Sequence, residues 1–410
     1  MLAQATCTQA PTWAQARQLA YQCARPLPST AVTLREAIGG TLTSPVTARQ
    51  DLPHYASSAM DGWAVNSTGN STAHGICTGP WLMTASGLPL APGQASVIAT
   101  GGLVPSGATA ILRKESGCVS ADGSLTLKHD AKPHETMPGR HIRPAGEEAA
   151  AGDVLIPAGT LLNPAHIALA SVAGHDHVQI QRKPRVAVVL TGSEVVTSGE
   201  PAPGQVRDAF GPQLDTVISQ LGGEPCGQLR IGDSYDQWLA ALGGVEGSVP
   251  DADLPDVTVT TGGTGKSGTD HFRDAVAALG GRLLLDGIAM RPGHPAVLAE
   301  LPDGRFIIGL PGNPLAAIMA LMTLGEPLLA ALADRPLTEA SLMTSGADME
   351  PDPRRTRLVP CTVIHDLVFP ASHTGPGMMR GLAWANGYMA VPPEGVAAGS
   401  PVPVLPLPWT

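Results

Sequence analysis

Aromatic residues, paired cysteines and positive charge are all scarce in this chain of 410 residues. Only 3% of the residues are Phe, Trp or Tyr, so the hydrophobic cores must consist mainly of Ala, Val, Leu and Ile. The six cysteines are scattered without a C-x-x-C pair, which excludes a zinc ribbon and a disulfide scaffold and is typical of a reduced, cytoplasmic protein. The formal net charge of −10 argues against a general nucleic-acid binder, because such proteins rely on basic patches.

Long apolar runs are also missing, and this argues against a membrane protein. A membrane-spanning helix needs about 18 or more consecutive apolar residues. The longest candidate, residues 314–332, contains Glu326 and Pro327 and is better interpreted as a buried helix. The amino terminus has no basic segment followed by an apolar core, so no secretory signal is predicted.

Glycine and proline, by contrast, are abundant, with 48 and 39 copies. Short Val-, Ile- and Thr-rich pieces between them predict a β-rich module over residues 40–135. Residues 354–410 alternate apolar and polar positions between Pro and Gly, which predicts a small β-barrel or sandwich. Helices outside the central region are predicted at 12–24, 33–38 and 164–174.

From residue 185 onward, strand patterns alternate with helix patterns, which predicts a parallel sheet with helices on both faces. The predicted strands are 185–190, 225–231, 256–261 and 306–310, and the predicted helices are 211–223, 235–243, 269–280 and one that begins at Pro314. Ligands of such sheets bind beyond the carboxyl ends of the strands. The loops 191–194, 262–270 and 310–313 should therefore meet at one edge of the sheet and form the binding site.

The stretch TTGGTGKSGTD (260–270) contains Gly265-Lys266-Ser267, the end of a nucleotide-binding P-loop. That motif also needs a glycine five residues before Gly265, and Thr260 stands there instead. Since the Cβ of Thr restricts the tight turn, a P-loop ATPase or kinase is disfavoured. An anion-binding turn between a strand and a helix remains an open interpretation.

Several acidic residues have both an ordinary and a functional interpretation. Asp61 lies in a Met-Asp-Gly turn, and Asp208 and Asp270 precede predicted helices. Turn and cap aspartates commonly bind only neighbouring backbone N–H groups. The alternative is an acid, a general base or a metal ligand that is presented on a loop.

Taken together and in chain order, a series of stretches resembles the molybdopterin molybdenumtransferase family, the group of MoeA and the gephyrin E domain. The stretches span residues 57–395 and are SSAMDGWAV, TGGLVPSGATAILRKE, GRHIRPAGEE, RVAVVLTGSEVV, TTGG with Asp270 eight residues beyond Gly262, RPGHP, GLPGNPLAA and LAWANGYMAVPPEG.

The resemblance implies a multidomain α/β and β protein that forms an elongated homodimer. A molybdopterin-binding-type α/β domain with a parallel-rich sheet would be accompanied by a β-rich inserted domain, a small discontinuous domain and a carboxyl-terminal β-barrel. The implied boundaries are 26–48 with 141–177 for the discontinuous domain, 49–140 for the inserted domain, 1–25 with 178–328 for the α/β domain and 329–410 for the barrel.

The resemblance also implies a reaction. Members of the family insert molybdenum from molybdate into adenylylated molybdopterin and release AMP, with a divalent cation, usually Mg²⁺, assisting. The expected partners are these two substrates, a second copy of the chain, and molybdoenzymes or an adenylyltransferase in a hand-over; no nucleic acid and no membrane is expected. Asp61 and Thr100 would complete the site from the other subunit.

Site residues follow from the matching motif positions. Catalytic roles are implied for Asp61, Thr100, Glu194 and Asp270. Metal ligands are implied at Glu148, Glu194, Asp208, Asp256 and Asp270. Cofactor binding is implied for Gly262, Gly263, Lys266, Ser267, Arg291, Pro292, His294, Pro295, Pro311, Asn313 and Arg357.

The chain departs from the family pattern on the anion-binding side. The family's Lys-Pro-Gly-Lys-Pro is Arg291-Pro292-Gly293-His294-Pro295 here, so one lysine is replaced by a histidine that is mostly neutral at pH 7. Lys266 replaces part of a Val-Ser motif, Ala209-Phe210 replaces Ser/Thr-Asn, and Pro376 replaces a serine. These departures favour an alternative, a non-catalytic carrier or scaffold that binds molybdopterin. They also suggest that Lys266 replaces the cation lost at His294.

Overall fold

The computed structural model describes residues 10–69, 77–132, 134–232, 234–244, 254–265 and 270–410. The chain divides into two compact units, Thr30–Ile180 and the combination of Met1–Ser29 with Gln181–Thr410. Lys266 and Ser267 lie outside the described residues.

The amino-terminal helix α1 (Trp13–Gln22) belongs to the second of these units. Thr12 begins the helix with a capping box, in which its hydroxyl accepts from the Gln15 N–H at 3.3 Å. The helix buries Trp13, and its Arg17 forms a 2.9 Å ion pair with Glu326.

The unit Thr30–Ile180 is mostly β-structure, which confirms the β-rich module. Its main sheet has the order β7-β4-β6-β5-β9-β8, and helix α2 spans Pro164–Val172. Its strands and those at its ends are β1 Ser29–Thr33, β2 Val46–Thr47, β3 Ser57–Ser58, β4 Gly62–Val65, β5 Trp81–Thr84, β6 Gln94–Ile98, β7 Ala110–Arg113, β8 Gly117–Val119, β9 Ser124–Leu127, β10 Ile142–Arg143, β11 Val154–Ile156 and β12 His177–Gln181.

The prediction of a helix at 33–38 was wrong, because Thr33 ends β1 and residues 34–38 form turns. Glu36 accepts hydrogen bonds from the N–H of Thr33 at 3.1 Å and from its hydroxyl at 2.7 Å. This local side-chain turn competes with a helix, and a six-residue pattern is too short to overcome it.

The α/β sheet has the order β16-β13-β17-β21-β20-β18. The four neighbouring strands β16, β13, β17 and β21 are parallel, as predicted. Strand β20 runs antiparallel to both of its neighbours, β21 and β18. Its strands and helices, with short strands beside them, are β13 Arg185–Leu190, β14 Val195–Val196, β15 Val206–Arg207, α3 Leu214–Gln220, β16 Glu224–Arg230, α4 Tyr235–Gly243, β17 Val257–Thr261, α5 Phe272–Ala278, β18 Arg282–Asp286, β19 Met290–Arg291, β20 Val297–Glu300 and β21 Phe306–Leu310.

The apolar segment Pro314–Leu332 is a core helix, as predicted: it is long and apolar enough to span a membrane, but 94% of it is buried in the protein. It consists of α6 (Pro314–Ala320), a wider π-helical turn (Leu321–Gly325) and α7 (Glu326–Leu332). Pro327 has no N–H to donate to the preceding turn, which explains why the helix widens there.

The carboxyl-terminal region is a closed β-barrel, which confirms one of the two predicted architectures. Its strands are β22 Ser341–Ser345, β23 Thr356–Ile364, β24 Leu367–Pro370, β25 Gly387–Val391 and β26 Pro401–Pro406. Pairing of β23 with both β24 and β25 closes the ring. The short strand β19 joins β23 in parallel and places Arg291 opposite Arg357 in the register.

Candidate functional site

A cavity of about 850 Å³ lies at the carboxyl ends of the parallel strands of the α/β sheet. All three predicted loops contribute to it, which confirms their convergence at one edge. The residues that line it are Thr191, Gly192, Glu194, Val195, Val206, Arg207, Asp208, Ala209, Phe210, Trp238, Thr261, Gly262, Gly263, Asp270, Gly312, Asn313, Pro314, Gly377 and Met379.

Hydrogen bonds tie these loops together. The Thr191 hydroxyl donates to the carbonyl oxygen of Thr261, and the Gly262 N–H donates to the carbonyl oxygen of Leu310 at 2.9 Å. Loops that follow three neighbouring strands therefore form one rigid floor, so a ligand meets preorganised backbone rather than separate mobile loops.

The glycine turn at the end of β17 requires glycine. Gly263 has a φ of +67°, and a Cβ placed there would lie 2.3 Å from a ring carbon of Trp238. Both the left-handed backbone and the contact exclude a side chain. Trp238, from α4, thus packs directly against bare backbone at the cavity.

Three carboxylates line this cavity: Glu194, Asp208 and Asp270. Glu194 is exposed and follows β13, whereas Asp270 is half-buried and precedes α5. The structure therefore brings two of the three acids expected to matter most, Glu194 and Asp270 but not Asp61, into the lining of one cavity with the glycine turn.

Asp208 differs from the other two, because its oxygens are occupied. One oxygen accepts from the N–H groups of Phe210 and Gly211 at 2.9 and 3.0 Å, and the other accepts from Arg230 at 2.5 Å. Burial alone would raise the pKa of Asp208, but these donors and the guanidinium outweigh it, and the pKa is lowered. Ala209-Phe210 thus contributes a backbone donor in place of the expected polar side chains.

No three His, Cys, Asp or Glu side chains of the described residues lie close enough together to hold a metal ion by themselves. Mg²⁺ does not need such a cage, since it usually binds one or two carboxylates together with substrate phosphates and water. Glu194 and Asp270, which line the same cavity, fit that donor set.

Asp256 is not part of this site, and the prediction of a metal ligand there is corrected. It precedes β17 at the amino end of the strand, roughly 16 Å of extended chain from the glycine turn. Arg182 donates to both of its oxygens at 2.7 and 3.0 Å, and the Arg185 N–H donates at 2.7 Å. Its carboxylate is committed to holding the sheet edge.

A second cavity of about 410 Å³ lies beside the barrel. Arg291, Pro292 and Arg357, for which cofactor binding is implied by the resemblance, line it together with Pro376. The full lining is Arg291, Pro292, Glu350, Pro351, Asp352, Arg357, Leu358, Val359, Thr374, Gly375 and Pro376. Two arginines face two acids here, so the formal charges of the wall cancel.

His294 and Pro295 line neither cavity, and neither does Pro311. The Nδ1 atom of His294 is 2.6 Å from the carbonyl oxygen of Ile288, which assigns its proton to Nδ1 and turns that nitrogen toward the backbone. Pro311 is buried and precedes the lining residues Gly312 and Asn313. These three residues therefore lie outside the lining of both cavities.

One short segment touches both cavities. Thr374, Gly375 and Pro376 line the smaller cavity, and Gly377 and Met379 line the larger one. The carbonyl oxygen of Pro376 accepts from the Ala316 N–H in the first turn of α6 at 3.1 Å. We call residues 374–379 the shared wall.

In the unit Thr30–Ile180, Asp61 and Thr100 meet, although 39 residues separate them. The Thr100 N–H and hydroxyl both donate to one oxygen of Asp61, at 2.7 and 3.0 Å. These two hydrogen bonds lower the pKa of Asp61. The adjacent Gly62 allows strand β7 to approach, because a Cβ there would lie 2.0 Å from the Leu112 carbonyl oxygen.

Glu148 lies in the same unit, exposed, in the lining of a cavity of about 420 Å³ with Arg143 and Glu147. Its nearest acidic neighbours in that lining do not make a metal-binding group of three.

Sequence reasoning missed Trp238, Arg207 and Met379 in the lining of the large cavity. Trp238 comes from a helix face that looks like ordinary core in the sequence. Met379 belongs to the barrel region, far along the chain. Only Arg207 had a usable signal, its place directly before Asp208, for which a metal-binding role is implied.

Comparison with known families covers nearly the whole chain. The MoeA N-terminal region (domain I and II) matches residues 11–174, the probable molybdopterin binding domain matches 187–331, and the MoeA C-terminal region (domain IV) matches 343–407. The three matches follow one another in the order of the sequence motifs.

Proteins named molybdopterin molybdenumtransferase are similar to this chain. One from Nostoc sp. (strain PCC 7120) is 31% identical over 311 residues, 73% of this chain and 68% of its own length. Another from Staphylococcus epidermidis is 28% identical over 390 residues, 91% of this chain and 90% of its own length.

The solved structure of the molybdopterin biosynthesis MoeA protein from Pyrococcus horikosii superposes with a TM-score of 0.76 at 24% identity, covering 97% of this chain and 99% of that one. This likeness shows the fold. From the matched regions and the 31% identical relative, the chain belongs to the molybdopterin molybdenumtransferase (MoeA) family, a family of enzymes of molybdenum cofactor biosynthesis.

Proposed function

We propose that this protein inserts molybdenum from molybdate into adenylylated molybdopterin and releases AMP. The observation that supports this most is the pair of neighbouring cavities joined by the shared wall. The larger, at about 850 Å³, has the size of sites for drug-sized ligands and combines a bare glycine turn with carboxylates. The smaller, at about 410 Å³, presents two arginines to a compact oxyanion.

In the large cavity, Gly262 and Gly263 let backbone approach a phosphate closely, and we assign Asn313 to the same ligand. Lys266 and Ser267 lie outside the described residues, and their assignment to this ligand rests on their motif positions alone. Glu194 and Asp270 would hold Mg²⁺ together with substrate phosphate oxygens. The bound cation supplies charge neutralisation at the phosphates. The carboxylates also orient water, whose oxygen bonds to phosphorus as the bridging P–O bond breaks; AMP leaves and the water proton passes to solvent.

In the small cavity, Arg291 and Arg357 would bind molybdate, a tetrahedral dianion. Their register as partners on β19 and β23 fixes the spacing of the two side-chain origins. Arg357 also donates to the Glu350 carbonyl oxygen at 2.9 Å, which holds its guanidinium in place.

Lys266 would add the positive charge that His294 lacks. The variant Lys266→Ala would then weaken both pterin binding and molybdate binding, and unchanged affinities for both ligands would contradict that role.

The test is AMP release by the purified protein from adenylylated molybdopterin with Mg²⁺, measured with and without molybdate. We expect turnover that depends on molybdate. Arg291→Ala and Arg357→Ala should each raise the half-saturating molybdate concentration about 10-fold or more, because each removes a charge-assisted hydrogen bond. Arg282→Ala, on the exposed strand β18, is the matched control and should leave it unchanged.

We further propose that the protein acts as a cytoplasmic homodimer in which Asp61 and Thr100 of one copy complete the site of the other. Mixing Asp61→Asn with Glu194→Gln subunits tests this. After subunit exchange, about a quarter of wild-type activity should return, since half of the dimers are mixed and each holds one intact site. No recovery, with exchange verified, contradicts the shared site.

The alternative is a carrier that binds molybdopterin without turnover and hands it to a molybdoenzyme or an adenylyltransferase. One observation favours it: the acids Glu350 and Asp352 balance the two arginines of the small cavity, while His294 faces the backbone. Tight pterin binding without AMP release at any molybdate concentration would support the carrier and overturn the insertase.

A further inference from the structure

Arg207 is the only basic residue among the described residues that line the large cavity. It shares that lining with Glu194, Asp208 and Asp270, so the carboxylates outnumber it. A substrate with phosphate groups entering this cavity would meet repulsion from the acids. A fixed cation on the same wall offsets that repulsion and gives the phosphates a contact point.

The guanidinium of Arg207 has capacity for such a contact. The residue is exposed, and its Nη1 donates to the Val196 carbonyl oxygen at a long 3.4 Å. A guanidinium has five N–H donors in a planar fork that matches phosphate oxygens in pairs. One long bond orients the side chain and leaves most of the fork for a ligand.

The backbone that carries Arg207 is firmly held. The Val206 N–H donates to the Glu194 carbonyl oxygen and the Asp208 N–H to the Val196 carbonyl oxygen, both at 3.0 Å. Strands β14 and β15 therefore form a parallel ribbon at the cavity, with Glu194 directly before β14 and Arg207 at the end of β15.

Asp208 anchors this ribbon to the sheet. Its side chain is 7% exposed, and all of its described contacts are inward: two loop N–H groups and Arg230 at the end of β16. From the same strand, Gln228 donates to the Gly211 carbonyl oxygen at 3.0 Å. A carboxylate committed in this way is poorly placed to bind a cation, but it fixes the residue next to it.

We propose that Arg207 forms an anion-binding subsite of the large cavity, which contacts the pyrophosphate of the substrate, and that Asp208 is a positioning residue that holds Arg207 there. The identity of the substrate in this proposal rests on the proposed function. The chemistry of the subsite does not, because any pyrophosphate would present the same anionic oxygens.

The first test compares Arg207→Gln and Arg207→Lys with the control Arg282→Gln, a surface arginine whose side chain is 73% exposed. Arg207→Gln should raise KM for adenylylated molybdopterin about 10- to 100-fold with little change in kcat, and Arg207→Lys should recover part of the loss. Raising the salt concentration should increase KM less in Arg207→Gln than in wild type. An unchanged KM and salt dependence in Arg207→Gln would overturn the subsite.

The second test separates positioning from metal binding at Asp208. Asp208→Asn and Arg230→Gln should both raise KM, by less than Arg207→Gln, and neither should change the Mg²⁺ concentration that gives half-maximal rate. If excess Mg²⁺ restored Asp208→Asn to wild-type rate, Asp208 would be a metal ligand and the positioning role would be wrong. Thermal unfolding of each variant confirms that it is folded.

Binding of inorganic pyrophosphate, measured by calorimetry, keeps this inference distinct from the proposed function. If wild type binds pyrophosphate at least 10-fold more tightly than Arg207→Gln, the subsite stands even when no AMP is released. Equal pyrophosphate affinity in the two proteins overturns the subsite, whatever the outcome of the AMP assay.

Discussion

The two edges of the α/β sheet, where the parallel strands begin and where they end, both carry acidic residues, but these residues have different surroundings. At the amino edge, Asp256 is held by Arg182 and by the Arg185 N–H. At the carboxyl edge of the same strand, Gly262 and Gly263 turn beside a cavity that Glu194 lines. A carboxylate at the first edge stabilises the sheet, whereas a carboxylate at the second lines a cavity.

The difference shows that the end of the strand, and not the residue type, predicts the role of an acid here. Asp208 is an intermediate case, because it lines the carboxyl-edge cavity but is bound like Asp256. Variants of matched residues at the two edges can separate loss of activity from loss of stability.

The largest contrast should come from Glu194→Gln at the carboxyl edge and Glu224→Gln, which begins β16 at the amino edge. Glu194→Gln should lower kcat for AMP release about 10²- to 10³-fold, because a preorganised charge at the reacting phosphates is removed. Glu224→Gln should keep wild-type rates. Normal AMP release by Glu194→Gln would remove it from the reaction.

A smaller effect, on both stability and binding, is expected for Gly263→Ala. Alanine at this position would have to adopt the left-handed backbone conformation, and its methyl group would clash with Trp238. Together these effects should lower the free energy of unfolding by about 1–3 kcal/mol. The midpoint of denaturant unfolding should fall, and pyrophosphate should bind more weakly. Gly304→Ala serves as control for backbone strain alone, since it shares a positive φ but has no neighbour within 4 Å of the added Cβ. Equal behaviour of the two variants would show that Trp238 is irrelevant.

Asp256→Ala should lower the free energy of unfolding by about 1–2 kcal/mol, because Arg182 and the Arg185 N–H lose their acceptor. Its kcat and KM should match those of wild type once the protein is folded. A selective loss of activity with unchanged stability would place Asp256 in the site after all. Chemical denaturation and AMP release measure the two quantities separately.

The smallest effect is a pH dependence at Asp208. Its pKa is lowered in the folded state, so its contribution to stability is fully present above the unfolded pKa of about 3.9 and is lost as the pH falls through the lower folded value. The stability advantage of wild type over Asp208→Asn should therefore be largest near neutral pH and shrink below about pH 4. A constant difference from pH 7 to pH 3 would contradict the lowered pKa.

The sequence predicted the parallel strands, because hydrophobic runs are visible in the local sequence. It also predicted the convergence of three loops, because the loops that follow parallel strands lie at the same edge of the sheet. No strand was predicted at β18 or at β20 (VLAE), so the antiparallel part of the sheet was missed. The turn at 33–38 was mistaken for a helix because the Thr33–Glu36 hydrogen bonds are invisible in a hydrophobic pattern.

The candidate site was predictable in part. Glu194, Asp270 and the glycine turn follow from motif positions at strand ends, and Asp61 with Thr100 follows from matched stretches. Asp256 and His294 share the same motifs but are bound by Arg182 and the Ile288 carbonyl oxygen. Such hydrogen-bond partners depend on tertiary contacts, which a residue's match to a family motif does not specify.

The shared wall, residues 374–379, is a structural element that the two cavities have in common. Pro376 borders the small cavity and Gly377 the large one, and the Ala316 N–H donates to the Pro376 carbonyl oxygen. A displacement of this segment on filling of one cavity would therefore move a boundary of the other and couple the two sites. Such coupling is reciprocal: if bound pterin changes molybdate affinity, molybdate changes pterin affinity by the same factor. The order in which the two substrates bind would then be a property of this short segment.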